Sequence, residues 1–346
     1  MSTGETDTNH PLPPGYTDRP ACMEDAASVT ALINADDLAV LGLVTIDAED
    51  TLRDWTIPGF NLETDTRMVI ASDGQAAGYY EVWDLYDPHT TINIWGRTHP
   101  AHIGRGIGSY LLEWAERRAS LAISKAPPEA RVSLNCGILA IHQGGQELLK
   151  QSGYTLIRHG LRMVIELQSA PPLPVWPDGI QIRQIRDGEL RAAFAAMREA
   201  FHDHWGYLET PFEEEFERFQ HHVKSDPDYD PGLFFLAMDG EEIAGVNLSR
   251  RKVGDDPEMG WVASLSVRRP WRKKGIGVGL LQHSFREFYY RGYRKVGLGV
   301  DAQNLTGALR LYEKAGMHSD PQRQIDIYSK IVRDGKELSR QNISDG

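Results

Sequence analysis

The sequence predicts an α+β protein, of mixed α/β character, built as two tandem domains of one fold, each a mixed, mostly antiparallel sheet flanked by helices. Three observations carry this. Features recur at near-constant spacing: Gly78 and Gly245, each closing a β-like hairpin with an Asp-Gly turn, are offset by 167 residues, and Gly106 and Gly275, each in a glycine run before a helical pattern, by 169. Such matched offsets mark a duplication. The stretch Ser169 to Gly179 holds four prolines, which exclude helix and central strand and make a stiff connector. Each half also runs through strands first and then alternates strand and helix, the order of a mixed sheet covered by helices on both faces.

The elements follow in the same order in both halves. A short strand leads into a helix, over 23–37 and over 187–202. Three β-rich runs come next, at 68–70, 77–83 and 91–95, or at 233–237, 243–248 and 261–267. After the glycines, Ile107, Leu111, Leu112 and Ala115 in one half, and Leu281, Phe285 and Phe288 in the other, fall at helical spacing. A strand (131–136; 295–300), a second helix (146–151; 308–314) and closing strands (161–167; 325–331) finish each unit. The boundaries are a disordered tail over 1–15, an N-terminal domain over 16–168, a linker over 169–178, a C-terminal domain over 179–335 and a tail over 336–346.

Length and composition bound the class. A chain of 346 residues suits two domains. No apolar run approaches the ~18–20 residues of a membrane span, and the polar, acidic start lacks the features of a secretory signal, so a cytoplasmic protein without a membrane partner is expected. The two cysteines, Cys22 and Cys136, are too few for a disulfide framework and sit in no metal-binding pattern. A formal charge of −12 argues against nucleic acid. Within that acidic whole, Arg268, Arg269, Arg272, Lys273 and Lys274 form a basic spot.

That spot precedes Gly275-Ile-Gly-Val-Gly279. Glycine lets the backbone approach a ligand closely, and the free N–H groups at a helix start suit a phosphate or pyrophosphate. Arg272, Lys273 and Lys274 add charge there. The run is not a Walker loop, which needs G-x-x-x-x-G-K-[ST]. It also misses the dinucleotide fingerprint G-x-G-x-x-G by one residue, although Asp301, ending the next strand, stands where a ribose ligand would.

At these residues the C-terminal half resembles the GNAT N-acetyltransferase superfamily. Its signature, Val-x-x-Pro-x-Arg followed by R/Q-x-x-G-x-G/A, is matched by Val267, Pro270, Arg272, Gly275 and Gly277. A later element, N-x-x-A-x-x-L-Y-x-x-x-G-F/M, is matched by Asn304, Ala308, Leu311, Tyr312, Gly316 and Met317. The tandem layout is similar to the mycothiol synthase group of two-domain members, a likeness that carries no substrate with it.

The resemblance implies acetyl-CoA as cofactor, with its pyrophosphate on the loop from Arg272 through Lys273, Lys274, Gly275 and Ile276 to Gly277. It implies a strand splayed from its neighbour, so that peptide groups of Leu265, Ser266 and Val267 bond the pantetheine. Asn304 would contact the cofactor, and Tyr312 would protonate the departing thiolate. The acceptor implied is a primary amine of a small molecule, attacked directly in a ternary complex; a protein acetyltransferase or a CoA-binding module without catalysis are the other readings. Glu258 is the candidate base. Asp203, His204 and Trp205 fall where the family places its acceptor wall; neighbours in sequence rarely converge on one ion, so no metal is expected from this His-Asp-His stretch.

The N-terminal half departs from the pattern. Its loop keeps Gly104, Gly106 and Gly108, but Ile103 stands in the Arg/Gln position and Leu149 opposite Tyr312. A weakened cradle without catalysis is therefore expected, and the pair of domains could imitate a dimer within a monomer.

Overall fold

The computed structural model describes residues 10–304 and 307–340. The chain forms two compact units, one of residues up to Ile157 together with Asp326–Leu338, the other of Arg158–Ile325 with the residues from Ser339 on.

The first unit opens with β1 (Tyr16–Arg19) and α1 (Ala26–Leu41). Helix α1 buries Val29, Leu32 and Ile33, the i, i+3, i+4 spacing of one face, and stops at Gly42, left-handed at φ 76°. Asp47 then caps α2 (Ala48–Trp55), accepting from the Asp50 N–H, and the single turn α3 (Leu62–Asp65) leads into β2 (Thr66–Ala71), β3 (Ala76–Trp83) and β4 (Thr91–Thr98). Next come α4 (Ile107–Ser120), β5 (Val132–Leu139), α5 (Gln143–Gln151) and β6 (Thr155–Glu166). Ile107, Leu111, Leu112 and Ala115 of α4 are all buried, against Val82, Ile92 and Ile94 of the sheet.

The second unit repeats this order as β7 (Ile180–Gln184), α6 (Leu190–Phe201), α7 (Phe212–Ser225), β8 (Tyr229–Asp239), β9 (Glu242–Arg250), β10 (Met259–Val267), α8 (Ile276–Tyr290), β11 (Lys295–Asp301), α9 (Ala308–Lys314) and β12 (His318–Arg333). Leu281, Phe285 and Phe288 of α8 are buried with Val262, Val296 and Leu298. The connector from Pro171 to Pro177 has no regular structure, and its Trp176 lies where a Cβ on Gly279 would come within 2.8 Å of the ring, so that glycine serves packing.

One expectation needs correction. The closing strands 161–167 and 325–331 are strands, but they are exchanged. In the first unit the sheet runs β1-β2-β3-β4-β5-β12-β6, with the end of β12 beside β5; in the second it runs β7-β8-β9-β10-β11-β6-β12, with β6 beside β11. Residues 158–166 of β6 thus complete the second unit, pairing antiparallel from Lys295↔Glu166 to Asp301↔Gly160. An exchanged strand makes the same ladder that a unit's own strand would, so the local pattern of hydrophobicity does not reveal the swap.

Candidate active site

The site in the second unit begins with a strand that leaves its neighbour. β10 and β11 pair in parallel from Met259↔Lys295 to Val262↔Leu298 and no further. On its other side β10 stays paired with β9 to Val267↔Gly245, with an irregularity between Val262 and Ser264. Such an irregularity bends a strand, and here it turns Leu265, Ser266 and Val267 away from β11. The main-chain groups of that stretch that face β11 are free of the ladder.

Beyond Val267 the chain makes a short 3₁₀ turn, Arg269–Trp271, begun by Pro270 near its first position. It then takes left-handed conformations at Lys273 (φ 62°) and Gly275 (φ 90°) before α8 starts. Alternating backbone handedness gathers successive N–H groups on one concave side. Among the described residues the N–H groups of residues 273–278 donate to no main-chain carbonyl, and they coincide with the positive end of the α8 dipole. A Cβ on Gly275 would meet nothing within 4 Å. An open cup of free donors fits a diphosphate. Lys273 and Lys274 at its lip are exposed and make no ion pair among the described residues. Ile276 contributes only its N–H, its side chain being buried, and a Cβ on Gly277 would come within 2.9 Å of Leu311 Cδ1, which makes its small size a matter of α8 packing on α9.

Arg272 departs from expectation. Its guanidinium donates to the carbonyls of Val267 (3.0 Å) and Ala200 (2.8 Å) and to Asp203. It thereby ties the loop to the end of β10 and to α6. Asp203 is engaged with it: only 2% exposed, it is ion-paired to Arg269, Arg272 and Arg340. Burial disfavours its charge, but hydrogen bonds from Arg269 and Arg272 outweigh this and hold its carboxyl below the usual range. Asp203→Ala should cost about 1–2 kcal/mol, since the three arginines are part-exposed and partly solvated without it; a urea titration that left the midpoint unchanged would show the cluster to be idle.

Glu258, the candidate base, stands apart from the parted strands. It is exposed in the turn before β10, its N–H bonded to Asp256, on the order of 15 Å along the strand before the point where β10 and β11 part. His204 lies near the Arg272 guanidinium. Half-buried after α6, its ring lies edge-on to Phe201 at 4.6 Å. Burial and the nearby charge of Arg272 lower its pKa, so the imidazole is neutral at pH 7. Trp205 stacks under the Arg158 guanidinium at 4.2 Å, and Arg158 pairs with Asp301 at the end of β11, 3.0 Å away. Asp301 is thereby engaged by a cation and not free for a ribose. Arg158 was not legible as a site residue, because its strand reads as part of the other half.

Asn304 follows β11, its side-chain oxygen accepting weakly from the Ala308 N–H (3.3 Å) at the start of α9. Tyr312 sits on α9 within the core that includes Leu281, Leu298 and Met317. Burial pushes its phenol up to about 12, and no hydrogen bond engages its hydroxyl among the described residues, so it keeps its proton at neutral pH.

The first unit repeats the backbone of this site. β4 and β5 pair only from Thr91↔Ser133 to Asn93↔Asn135. A 3₁₀ turn, Pro100–His102, follows, and Gly106 (φ 85°) caps α4 as Gly275 caps α8. Gly104 is open around its Cβ direction, whereas a Cβ on Gly108 would come within 3.2 Å of Leu148. Among the described residues there is no group of three or more His, Cys, Asp or Glu arranged to hold a metal, and no helix long and apolar enough to cross a membrane.

Comparison with known proteins agrees with this geometry. The model of the acetyltransferase (GNAT) family matches residues 32–124 and again 194–317. A mycothiol acetyltransferase of Streptomyces scabiei is 31% identical over 222 residues, 63% of this chain and 65% of its own length; one from Streptomyces bingchenggensis is 30% identical over 70% of this chain and 74% of its length. The chain thus spans about two-thirds of the S. scabiei relative. The crystal structure of a GCN5-related N-acetyltransferase from Sphaerobacter thermophilus superposes with a TM-score of 0.78 at 34% identity, covering 95% of this chain and 99% of that one. A tandem GNAT protein of the clavulanic acid biosynthesis pathway shares the fold, with a TM-score of 0.68 at 14% identity over 93% of this chain and 100% of that one. The chain belongs to the GNAT family of acetyltransferases, enzymes whose cofactor is acetyl-CoA.

Proposed function

We propose that the second unit moves the acetyl group of acetyl-CoA to a primary amine of a small molecule, by direct attack within a ternary complex. The observation that carries this is the parting of β10 from β11 immediately before the N–H cup of residues 273–278. The free edge of Leu265, Ser266 and Val267 would take the pantetheine, and the cup, with Lys273 and Lys274, the diphosphate; Asn304 lies at the end of the neighbouring strand. Acetyl-CoA supplies a thioester whose thiol leaves as the new amide bond forms.

Tyr312, protonated at neutral pH, is the proton donor for that leaving sulfur. His204, neutral at neutral pH, is the acceptor of the amine proton, and Trp205 with the Arg158–Asp301 pair bounds the acceptor side. The Streptomyces relatives are named for mycothiol, and acceptors related to it head the panel to be tried. The first unit, with Leu149 opposite Tyr312, would hold a CoA cradle at Gly104, Gly106 and Gly108 without catalysis.

Release of CoA thiol should be followed with small amines and with peptides bearing a free lysine or α-amine. Small amines should give turnover and peptides little. His204→Gln should lower kcat/KM about 100-fold and remove the acid limb of the pH profile, which in the wild type lies below the ordinary histidine range because the pKa of His204 is lowered. No thiol release with any amine would leave a binding module and overturn the proposal.

A further inference from the structure

The first unit contains a cavity of about 410 Å³ between α1, α2, β3 and β4. Its walls come from alternation along the strands. Tyr79, Glu81 and Trp83 on β3 face the same side as Trp95 and Arg97 on β4, with Glu81 opposite Trp95 and Tyr79 opposite Arg97. Their even-numbered neighbours Tyr80, Val82, Ile92 and Ile94 fill the core beneath α4. Trp55 from α2 closes the aromatic box, and Phe60 backs Trp83 in a stack at 4.2 Å.

Four carboxyl groups line the box. Asp37 comes from α1, Asp50 and Asp54 from α2 and Glu81 from β3; among the described residues Arg97 is the one basic side chain in the lining. The Arg97 charge is already engaged, with Asp36 at 3.1 Å, and its guanidinium stacks on Trp95 at 4.6 Å. Glu81 receives only neutral donors: Tyr79 Oη at 2.9 Å and Trp83 Nε1 at 2.8 Å, with Trp55 Nε1 donating to Tyr79 in turn. No basic side chain pairs with it among the described residues. A carboxylate fixed by neutral donors among indole faces, in a cavity of ligand size, lacks a cation.

From this geometry we infer that the first unit binds a small organic cation, an alkyl ammonium, with its charge on Glu81 and its carbon chain between Trp55, Trp83 and Trp95. Aromatic faces attract such a cation and add apolar contact, whereas no group of side chains here is arranged to ligate a bare metal ion among the described residues. The site is independent of acetyl transfer in the second unit.

Burial pushes the Glu81 carboxyl up to about 7, against the hydrogen bonds of Trp83 and Tyr79 that pull it down, with Asp54 adding to the rise and Arg97 opposing it. The carboxylate form grows as pH rises through that value, so the cation should bind more tightly at pH 8 than at pH 6, Asp37 and Asp50 being the other acidic groups on the wall.

The test is titration of the full chain with putrescine, read by tryptophan fluorescence, with the uncharged isostere 1,4-butanediol as control. Putrescine should give a saturable change and butanediol none. Glu81→Gln should weaken putrescine about tenfold, the loss of one ion pair, while Gly275→Glu should leave it unchanged whatever it does to acetyl-CoA. Should Glu81→Gln fail to fold by circular dichroism, Asp54→Asn should weaken putrescine about threefold. No response to putrescine, an equal response to butanediol, or a folded Glu81→Gln that binds as the wild type does would each overturn the inference.

Discussion

Gly275→Glu should reduce acetyl-CoA affinity by more than about 100-fold while leaving a folded protein. The affinity loss has two sources that act at one atom. A carboxylate would project from the rim of the N–H cup, where a diphosphate needs positive potential and open space, and the side chain would fill the opening that a Cβ at this position meets, with nothing within 4 Å. Because that space is empty of protein, the substitution creates no clash inside the fold. Its structural cost is the left-handed backbone, φ 90°, which adds about 1–2 kcal/mol for any residue with a side chain. Gly275→Ala carries the same backbone cost without the charge, so calorimetric titration of both variants separates strain from site. Equal affinities for the glutamate variant and the wild type would remove the diphosphate from this loop.

Tyr312→Phe should lower kcat about 100- to 1,000-fold, the range for loss of a positioned proton donor, with little change in acetyl-CoA affinity. The phenol has no hydrogen bond to lose among the described residues and is buried among apolar side chains. Removing its oxygen should leave thermal stability little changed, since the hydroxyl bonds no protein group among the described residues. A drop in turnover with an unmoved melting temperature therefore reports chemistry and not folding. With its pKa pushed up to about 12, Tyr312 stays protonated across the working range, so the wild-type rate should show no alkaline limb from this residue below about pH 11. Unchanged turnover in the phenylalanine variant would transfer the donor role to another group or to water.

The two units carry the same backbone device on different side chains. In each, a strand parts from its parallel neighbour, a 3₁₀ turn follows, and a left-handed glycine opens a helix. What differs is placed by helices and loops. The second unit presents Tyr312, His204 and Trp205; the first has Leu149 at the Tyr312 position but an aromatic, acidic box around Glu81. Duplication has preserved the main-chain geometry, which depends on a few glycines and on the sheet, while side chains on the helical walls have diverged.

By itself the chain of residues determined not the helices over 48–55 and 212–225 but the duplication, the three central strands and the glycine-led helix of each half, and the placing of Tyr312 on a short helix after β11. These depend on local periodicity, on turn-forming residues and on backbone freedom at Gly106 and Gly275, all of which act over a few neighbouring positions. Tertiary structure alone decided that β6 and β12 are exchanged, that Asp203 and Arg272 bind each other, that Glu258 stands away from the parted strands, and that Glu81 shares a cavity with three tryptophans. These outcomes depend on how segments far apart in sequence pack together, where several arrangements satisfy the same polarity and hydrogen-bonding needs and only the packed chain selects one.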